Sequence, residues 1–275
     1  MSIYIRHISV IAIFINSSFI YRCDNQGYFK LHENNEHIVN QKGDSVPYGL
    51  KKLLKAYPEF LDSADANNLY WKDGTVMRWD DGISGKTHDE KLNNPDLEDM
   101  MSQEYPVGDR WIPPPDVNFE PGRIRYEPFF KKMYGSTESE VRQNLVTITW
   151  LPSICNCRVQ VNKVNNVADK LKAVSDEIEA ALGKEYYKYL SSTGGTFNWR
   201  NIAGTSRLST HAFGTAIDIN TKYSNYWKWE NDMTWKNQIP MEIVRIFEKH
   251  GFIWGGKWYH YDTMHFEYRP ELLTD

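Results

Sequence analysis

Cysteine is scarce, with only Cys23, Cys155 and Cys157 in 275 residues. That excludes a disulfide-stapled framework, and Cys155-x-Cys157 without a second matching pair is a poor zinc signature. The close pair is expected as free thiols or as a strained local bridge, and cysteine usage says little about compartment. Excess charge of one sign is also missing. Lys and Arg total 32 against 36 Asp and Glu, a net −4, so no broad basic field invites nucleic acid. Internal repeats and low-complexity tracts are absent. Beyond the N-terminus no apolar run is long enough to span a membrane, so no integral span is expected in the mature chain. The helical His-Glu-x-x-His zinc motif is absent as well.

Hydrophobic residues make up 41% and charged residues 25%, ordinary values for a globular protein with a real core and one or two domains. Ten Trp and seventeen Tyr suit either an aromatic core or a groove that stacks on sugar or peptide, and composition does not separate the two. At the N-terminus, Arg6 and His7 precede the apolar run Ile8 to Ile13, extended by Phe14, Ile15, Phe19 and Ile20. This reads as a signal peptide over residues 1–22. It predicts export to the periplasm or cell envelope, with membrane anchoring if the segment stays uncleaved. A buried N-terminal strand is the alternative, and Arg22 before Cys23 makes a poor lipobox.

Residues 23–44 are polar and read as a linker. Residues 45–140 read as an N-terminal extension packing on a catalytic unit of residues 141–275. Within the extension, Pro47 opens a helix with Leu50, Leu53, Leu54 and Tyr57 on one face, and Pro58 stops it. Asp73-Gly74 between aromatic-rich runs predicts a hairpin. Residues 80–125 are turn-rich, with one short helix near 96–103. Helices follow near 127–134 and 137–144, the second with a Thr137/Glu140 capping box. Strands are expected over Leu145–Trp150 and Arg158–Asn162. The spacing of Val164, Val167, Leu171, Val174, Ile178 and Leu182 predicts a long helix with Gly183 as its C-terminal cap. Further strands are expected at Thr196–Arg200, Ala216–Asn220, Phe252–Trp254, Lys257–His260 and Met264–Tyr268, and a helix opens at Pro240. Helices and antiparallel strands without a βαβ rhythm indicate an α+β fold.

Two stretches carry chemistry. Ser209-Thr210-His211-Ala212-Phe213-Gly214-Thr215-Ala216-Ile217-Asp218 offers a His on a loop and an Asp on the following strand, with a turn at Gly214 between them. Asp262-Thr263-Met264-His265-Phe266-Glu267 offers a second His from another strand. Two His and one Asp suit a catalytic zinc site, which takes three protein ligands and keeps one position for water. Glu267 shares a strand face with His265 and is placed to hydrogen-bond it. Asp262 is placed to take a proton from a zinc-activated water and return it to a leaving amine. The developing oxyanion needs a cation besides the metal, for which Arg200 is the first candidate and Arg207 the second. Taken singly, each residue also has a purely structural role open to it: Asp218 and Asp262 as turn residues, Arg207 in a surface pair, Glu267 on a solvated strand, His250 at a helix end.

Together, Ser209-x-His211-x-x-Gly214-x-Ala216-x-Asp218 and Asp262-x-x-His265-Phe266-Glu267 resemble the D-alanyl-D-alanine carboxypeptidase family of zinc peptidases. Its relatives include vancomycin-resistance D,D-dipeptidases and phage L-alanyl-D-glutamate endopeptidases. The resemblance covers about residues 145–270. It implies the hedgehog/DD-peptidase fold, a small antiparallel sheet with packed helices. It further implies Zn2+ held by His211, Asp218 and His265, Asp262 as general base and acid, Ser209 beside the site, and Arg200 stabilising the transition state. The implied substrates are peptidoglycan stem peptides, cut at an amide bond next to D-alanine. Trp199-Arg200-Asn201 departs from the Tyr-Arg-Ser segment common in carboxypeptidases, which leaves substrate subclass open. An L-alanyl-D-glutamate-type endopeptidase, a D,D-dipeptidase and a non-catalytic zinc-containing wall-binding module are the competing readings. A pure binder has no use for Asp262. The stretch from Pro121-Gly122-Arg123-Ile124-Arg125 to Tyr134-Gly135 belongs to the same resemblance without an assigned role.

Overall fold

A computed structural model describes residues 45–274; the predicted signal peptide and linker, with Cys23, lie outside the described residues. Helix α1 (Tyr48–Ala56) starts after Pro47 and buries Leu50 and Leu53 completely. Strand β1 (Leu61–Ala64), absent from the sequence reading, pairs antiparallel with β2 (Asn68–Trp71), which pairs with β3 (Val76–Arg78). The β2–β3 turn is the expected one. Gly74 takes φ +85° and Trp71 and Thr75 close the hairpin by a backbone hydrogen bond of 2.9 Å.

Two short helices follow, α2 (His88–Asn93) and α3 (Leu97–Met100). Each carries a capping box, Thr87 with Glu90 and Asp96 with Asp99. Of these, only the second helix was expected, near 96–103, and neither capping box was. Helix α4 (Glu127–Tyr134) buries Phe129, Phe130, Met133 and Tyr134. In α5 (Glu138–Gln143) the capping box is half formed: Thr137 accepts the Glu140 N–H, but the Glu140 carboxylate takes the N–H of Ser136 instead.

Strands β4 (Leu145–Trp150) and β5 (Cys157–Asn162) form a two-stranded sheet. Cys155 and Cys157 are disulfide-bonded, the local bridge of the two expected alternatives. Helix α6 (Val167–Ala181) packs its predicted stripe Val167, Leu171, Val174 and Ile178 inward. Its ends differ from expectation. Asn165 and Asn166 take left-handed φ of 55° and 59°, so Val164 stands in a separate turn. Gly183 is extended (φ −75°, ψ 175°) and is no left-handed cap. A four-residue helix α7 (Tyr187–Leu190) follows.

The central sheet has strand order β6 (Ala216–Asp218), β8 (His265–Tyr268), β7 (Phe252–Trp254), all antiparallel. Every residue of β7 and β8 is buried. Helix α8 (Met241–Lys249) covers β7, with Phe247 stacked on Phe266 at 3.8 Å between ring centres. The small antiparallel sheets with packed helices make this an α+β fold, as the sequence predicts. Two predicted strands are not strands. Thr196–Arg200 is irregular because its backbone braces the Ser209–His211 stretch, and Lys257–His260 is a turn. Among the described residues no helix is long and apolar enough to cross a membrane.

The extension reaches the central sheet through specific bonds. Tyr105 accepts the Trp254 N–H at 3.0 Å and donates to Glu248 at 2.7 Å. Trp258 donates to the Pro121 carbonyl at 2.8 Å. Gly122, at φ +90°, lies so close to the sheet that a Cβ there would fall 2.3 Å from Ile253 Cδ1. At the far end Tyr57 donates to Glu271 at 2.6 Å. Glu271 also pairs with the fully buried Arg269, which reaches Glu267 at 3.2 Å.

Candidate functional site

His211 sits in a single helical turn, Thr210–Phe213, that is short because Gly214 ends it in the left-handed region at φ +66°. A side chain at Gly214 would place its Cβ 2.7 Å from Leu145 Cδ2. Ser209 caps this turn by accepting the His211 N–H at 3.3 Å. Asp218 and His265 are direct cross-strand partners in β6 and β8. The central sheet therefore carries two of the residues and the preceding turn hangs the third above them.

The three donor atoms meet at one point. His211 Nε2 is 3.1 Å from Asp218 Oδ1, His265 Nδ1 is 3.0 Å from the same oxygen, and the two nitrogens are 3.3 Å apart. The outward nitrogen of each ring is already committed. His211 Nδ1–H donates to the Thr196 carbonyl at 2.6 Å, and His265 Nε2–H donates to Glu267 at 2.9 Å. The inward nitrogens therefore turn their remaining valence toward each other and toward the Asp218 carboxylate. Such a triangle needs a proton or a metal cation among its members. Two other groupings of acidic and His residues lie close together, His88/Glu120/His260 and Asp80/Asp96/Glu98. Each has a Lys or Arg on a carboxylate, Arg123 on Glu120 and Lys86 on Asp96. The His211/Asp218/His265 group has none among the described residues, so the chemistry of its donor set fits a divalent ion.

Electrostatics agree with a cation. Burial by itself would raise the Asp218 carboxyl, but the His211 charge and the hydrogen bonds from both rings hold it well below the usual carboxylate range. Burial would lower His265, yet its bonds to Asp218 and Glu267 push it up to about 10. Glu267, which burial would raise, is held far down first by Arg125 and then by His265. It also accepts from Thr210 at 3.1 Å. Glu267 is fully buried, so the solvated-strand reading is set aside.

Asp262 stands where the chain turns into β8, and its carbonyl accepts the His265 N–H at 3.2 Å. Its Oδ1 is buried and has no hydrogen-bond partner among the described residues. Burial and then the Asp218 charge raise this carboxyl to about 6. A cavity of about 120 Å3 is lined by His211, Asp218, Asp262 and His265, with Ser209 and Arg200 at its wall. Arg200 is exposed on an irregular loop and is not at a strand end as expected. Arg207 does not line this cavity; it lines an adjoining one.

Four groups at the site escaped the sequence reading. The Thr196 carbonyl orients His211, and no side-chain motif announces a backbone acceptor. Arg125 pairs with Glu267 and lies over Trp258, which in turn packs on the His265 ring. Arg123 and His260 share the buried Glu120, and both line the site cavity. The two arginines of Pro121-Gly122-Arg123-Ile124-Arg125 were the available signal, but they stand in and just after a turn, with Gly122 at φ +90°, and not on an extended strand.

Residues 203–268 match the D-alanyl-D-alanine carboxypeptidase family. The resemblance read from the sequence is thus borne out over about a quarter of the chain, the part holding His211, Asp218, Asp262, His265 and Glu267. Arg200, Arg123 and Arg125 lie outside the matched residues. No curated protein and no solved structure matches the chain.

Glu120 supplies a pH test of the wall around this segment. Burial would raise its carboxyl, but the His260 hydrogen bond and the Arg123 charge bring it down to about 2, against about 4.3 in an unfolded chain. A depressed carboxylate contributes stability that is full above the unfolded value and is lost as pH falls through the folded one. The gap in Tm between wild type and Glu120→Gln is therefore expected to be widest at pH 6 and to narrow steadily toward pH 2–3. Calorimetry across that range checks it, and a constant gap would remove Glu120 from the acid response.

Proposed function

We propose that this chain is an exported, zinc-dependent peptidase that hydrolyses an amide bond next to D-alanine in peptidoglycan stem peptides. One observation carries the reading: the inward nitrogens of His211 and His265 and the Asp218 carboxylate converge within 3.0–3.3 Å, while their outward nitrogens are tied to Thr196 and Glu267. In this reading His211, Asp218 and His265 hold Zn2+. When bound, the ion supplies Lewis acidity and brings the pKa of a coordinated water to about 7.

The protein's own groups do the rest. Asp262, whose buried Oδ1 lacks another partner, accepts a proton from the attacking water. A carboxyl raised toward neutrality can also return that proton, here to the departing amine. Arg200, exposed at the cavity wall, closes on the oxyanion as it forms. Ser209 and Thr210 fix the backbone that carries His211, and Glu267 with Arg125 holds the His265 ring in place. Tyr226, Trp227 and Trp258 line the same cavity and offer flat faces to a peptide backbone.

The test is digestion of purified muropeptides, with and without chelator, read by mass spectrometry. Loss of one terminal D-alanine is expected, abolished by chelation and restored by Zn2+. Internal stem cuts would make it an endopeptidase. His211→Ala is expected to bind less than a tenth of the zinc of wild type and to show no cleavage. Cleavage that survives both chelation and His211→Ala would sink the metal reading.

A further inference from the structure

Beside the His211/Asp218/His265 cavity lies a larger one of about 290 Å3, and Arg123, Arg125 and Ile202 line both. The larger cavity has apolar walls from Leu92, Phe130 and Phe213, and a third guanidinium, that of Arg207. Two of the three arginines are neutralised in place, Arg123 by Glu120 and Arg125 by Glu267. The carboxylate of Glu127, also on the wall, is spent on Lys131 and on the Leu208 N–H at 3.0 Å.

Arg207 is the exception. Its Nε is buried and, among the described residues, its side chain has no hydrogen bond or ion pair. Burial and then the neighbouring charges of Arg125 and Arg123 disfavour its proton, and Glu120 and Asp89 offset this only in part. Arg207 is half-buried, with Nε shielded from water and unpaired, and its planar fork matches a carboxylate or a phosphate, of which a peptide offers the first. The site-bearing cavity and this one share a wall, so one extended peptide can occupy both.

We infer that the Arg207 cavity is a subsite for a carboxylate-bearing residue of the substrate, bound bidentate by Arg207 beside Arg123. This rests on the peptidase reading above and narrows its substrate class: the stem peptide must present a free carboxylate near the scissile bond. Two carboxylates of a stem peptide qualify, the C-terminal one and the α-carboxylate of the γ-linked D-glutamate.

Binding separates this inference from catalysis. Calorimetric titration of the chelator-treated full chain would use the pentapeptide L-Ala-γ-D-Glu-L-Lys-D-Ala-D-Ala and two analogues, each with one carboxylate amidated. One amidation is expected to weaken binding about tenfold or more, which identifies the carboxylate, while the other leaves it within about twofold. Arg207→Gln is expected to bind the acid and the amide alike. Arg207→Lys, which keeps charge but loses the fork, is expected to retain part of the preference and guards against misreading a folding defect. If neither amidation matters to wild type, or if the preference survives in folded Arg207→Gln, the subsite is refuted. If discrimination holds but no peptide is ever cut with Zn2+ present, the subsite stands and the peptidase reading fails.

Discussion

Asp262→Asn is expected to lower kcat roughly 10²- to 10⁴-fold, the usual worth of a positioned general base, while zinc stoichiometry stays at the wild-type level. Asn keeps the size of Asp and removes only its capacity to hold a proton. KM should stay within a few-fold, because Asp262 acts on the reacting water and not on the bound peptide. The pH profile adds a second readout. In wild type, kcat/KM should fall as pH drops through the Asp262 pKa, because the base must be ionised to act. That limb should lie at or below the value of about 6 set by burial and the Asp218 charge, since a cation at the three donors favours ionisation. In Asp262→Asn the limb should disappear. Activity within tenfold of wild type would remove Asp262 as the base.

The second large effect is on stability. Glu267 is fully buried and is shared by Arg125, Arg269, His265 and Thr210. Arg269 is itself fully buried and one of its terminal nitrogens has no partner among the described residues. Glu267→Gln removes the only carboxylate paired with Arg125 among the described residues and leaves Arg269 with Glu271 alone. Leaving one partner of a buried pair uncompensated costs about 3–5 kcal/mol. For a unit of this size that is a Tm lowered by roughly 6–20 °C. Zinc affinity should fall as well, roughly 10- to 100-fold, because His265 loses the carboxylate that orients it. Combining Glu267→Gln with Arg125→Met should recover part of the loss, the signature of direct coupling. A melting temperature unchanged in Glu267→Gln would mean that packing alone holds β8.

Much of this arrangement is legible in the sequence because it is local. The α6 stripe, the Asp73-Gly74 hairpin and the alternation of β6 and β8 each follow from spacings within a few residues. The convergence of His211, Asp218 and His265 was legible only through the resemblance, since nothing in their spacing brings 211 beside 265. What stayed hidden depends on distant partners. Arg125 meets Glu267 across 142 positions and Tyr57 meets Glu271 across 214. Thr196–Arg200 has the residue pattern of a strand, but its polar backbone is drawn to Ser209 and His211 and forms no regular ladder. Gly183 failed as a cap because Leu182 already leaves the helix in extended conformation.

The pairing of Asp218 with His265 has a consequence for how the chain finds its fold. Side chains alternate along a strand, so a slip of one residue between β6 and β8 would send one of the two to the opposite face. A misaligned sheet would thus be unable to bring together the three donors of the proposed metal site. Any ion that binds only the aligned form draws the population toward it by mass action, so zinc present during refolding would act as an editor of strand alignment.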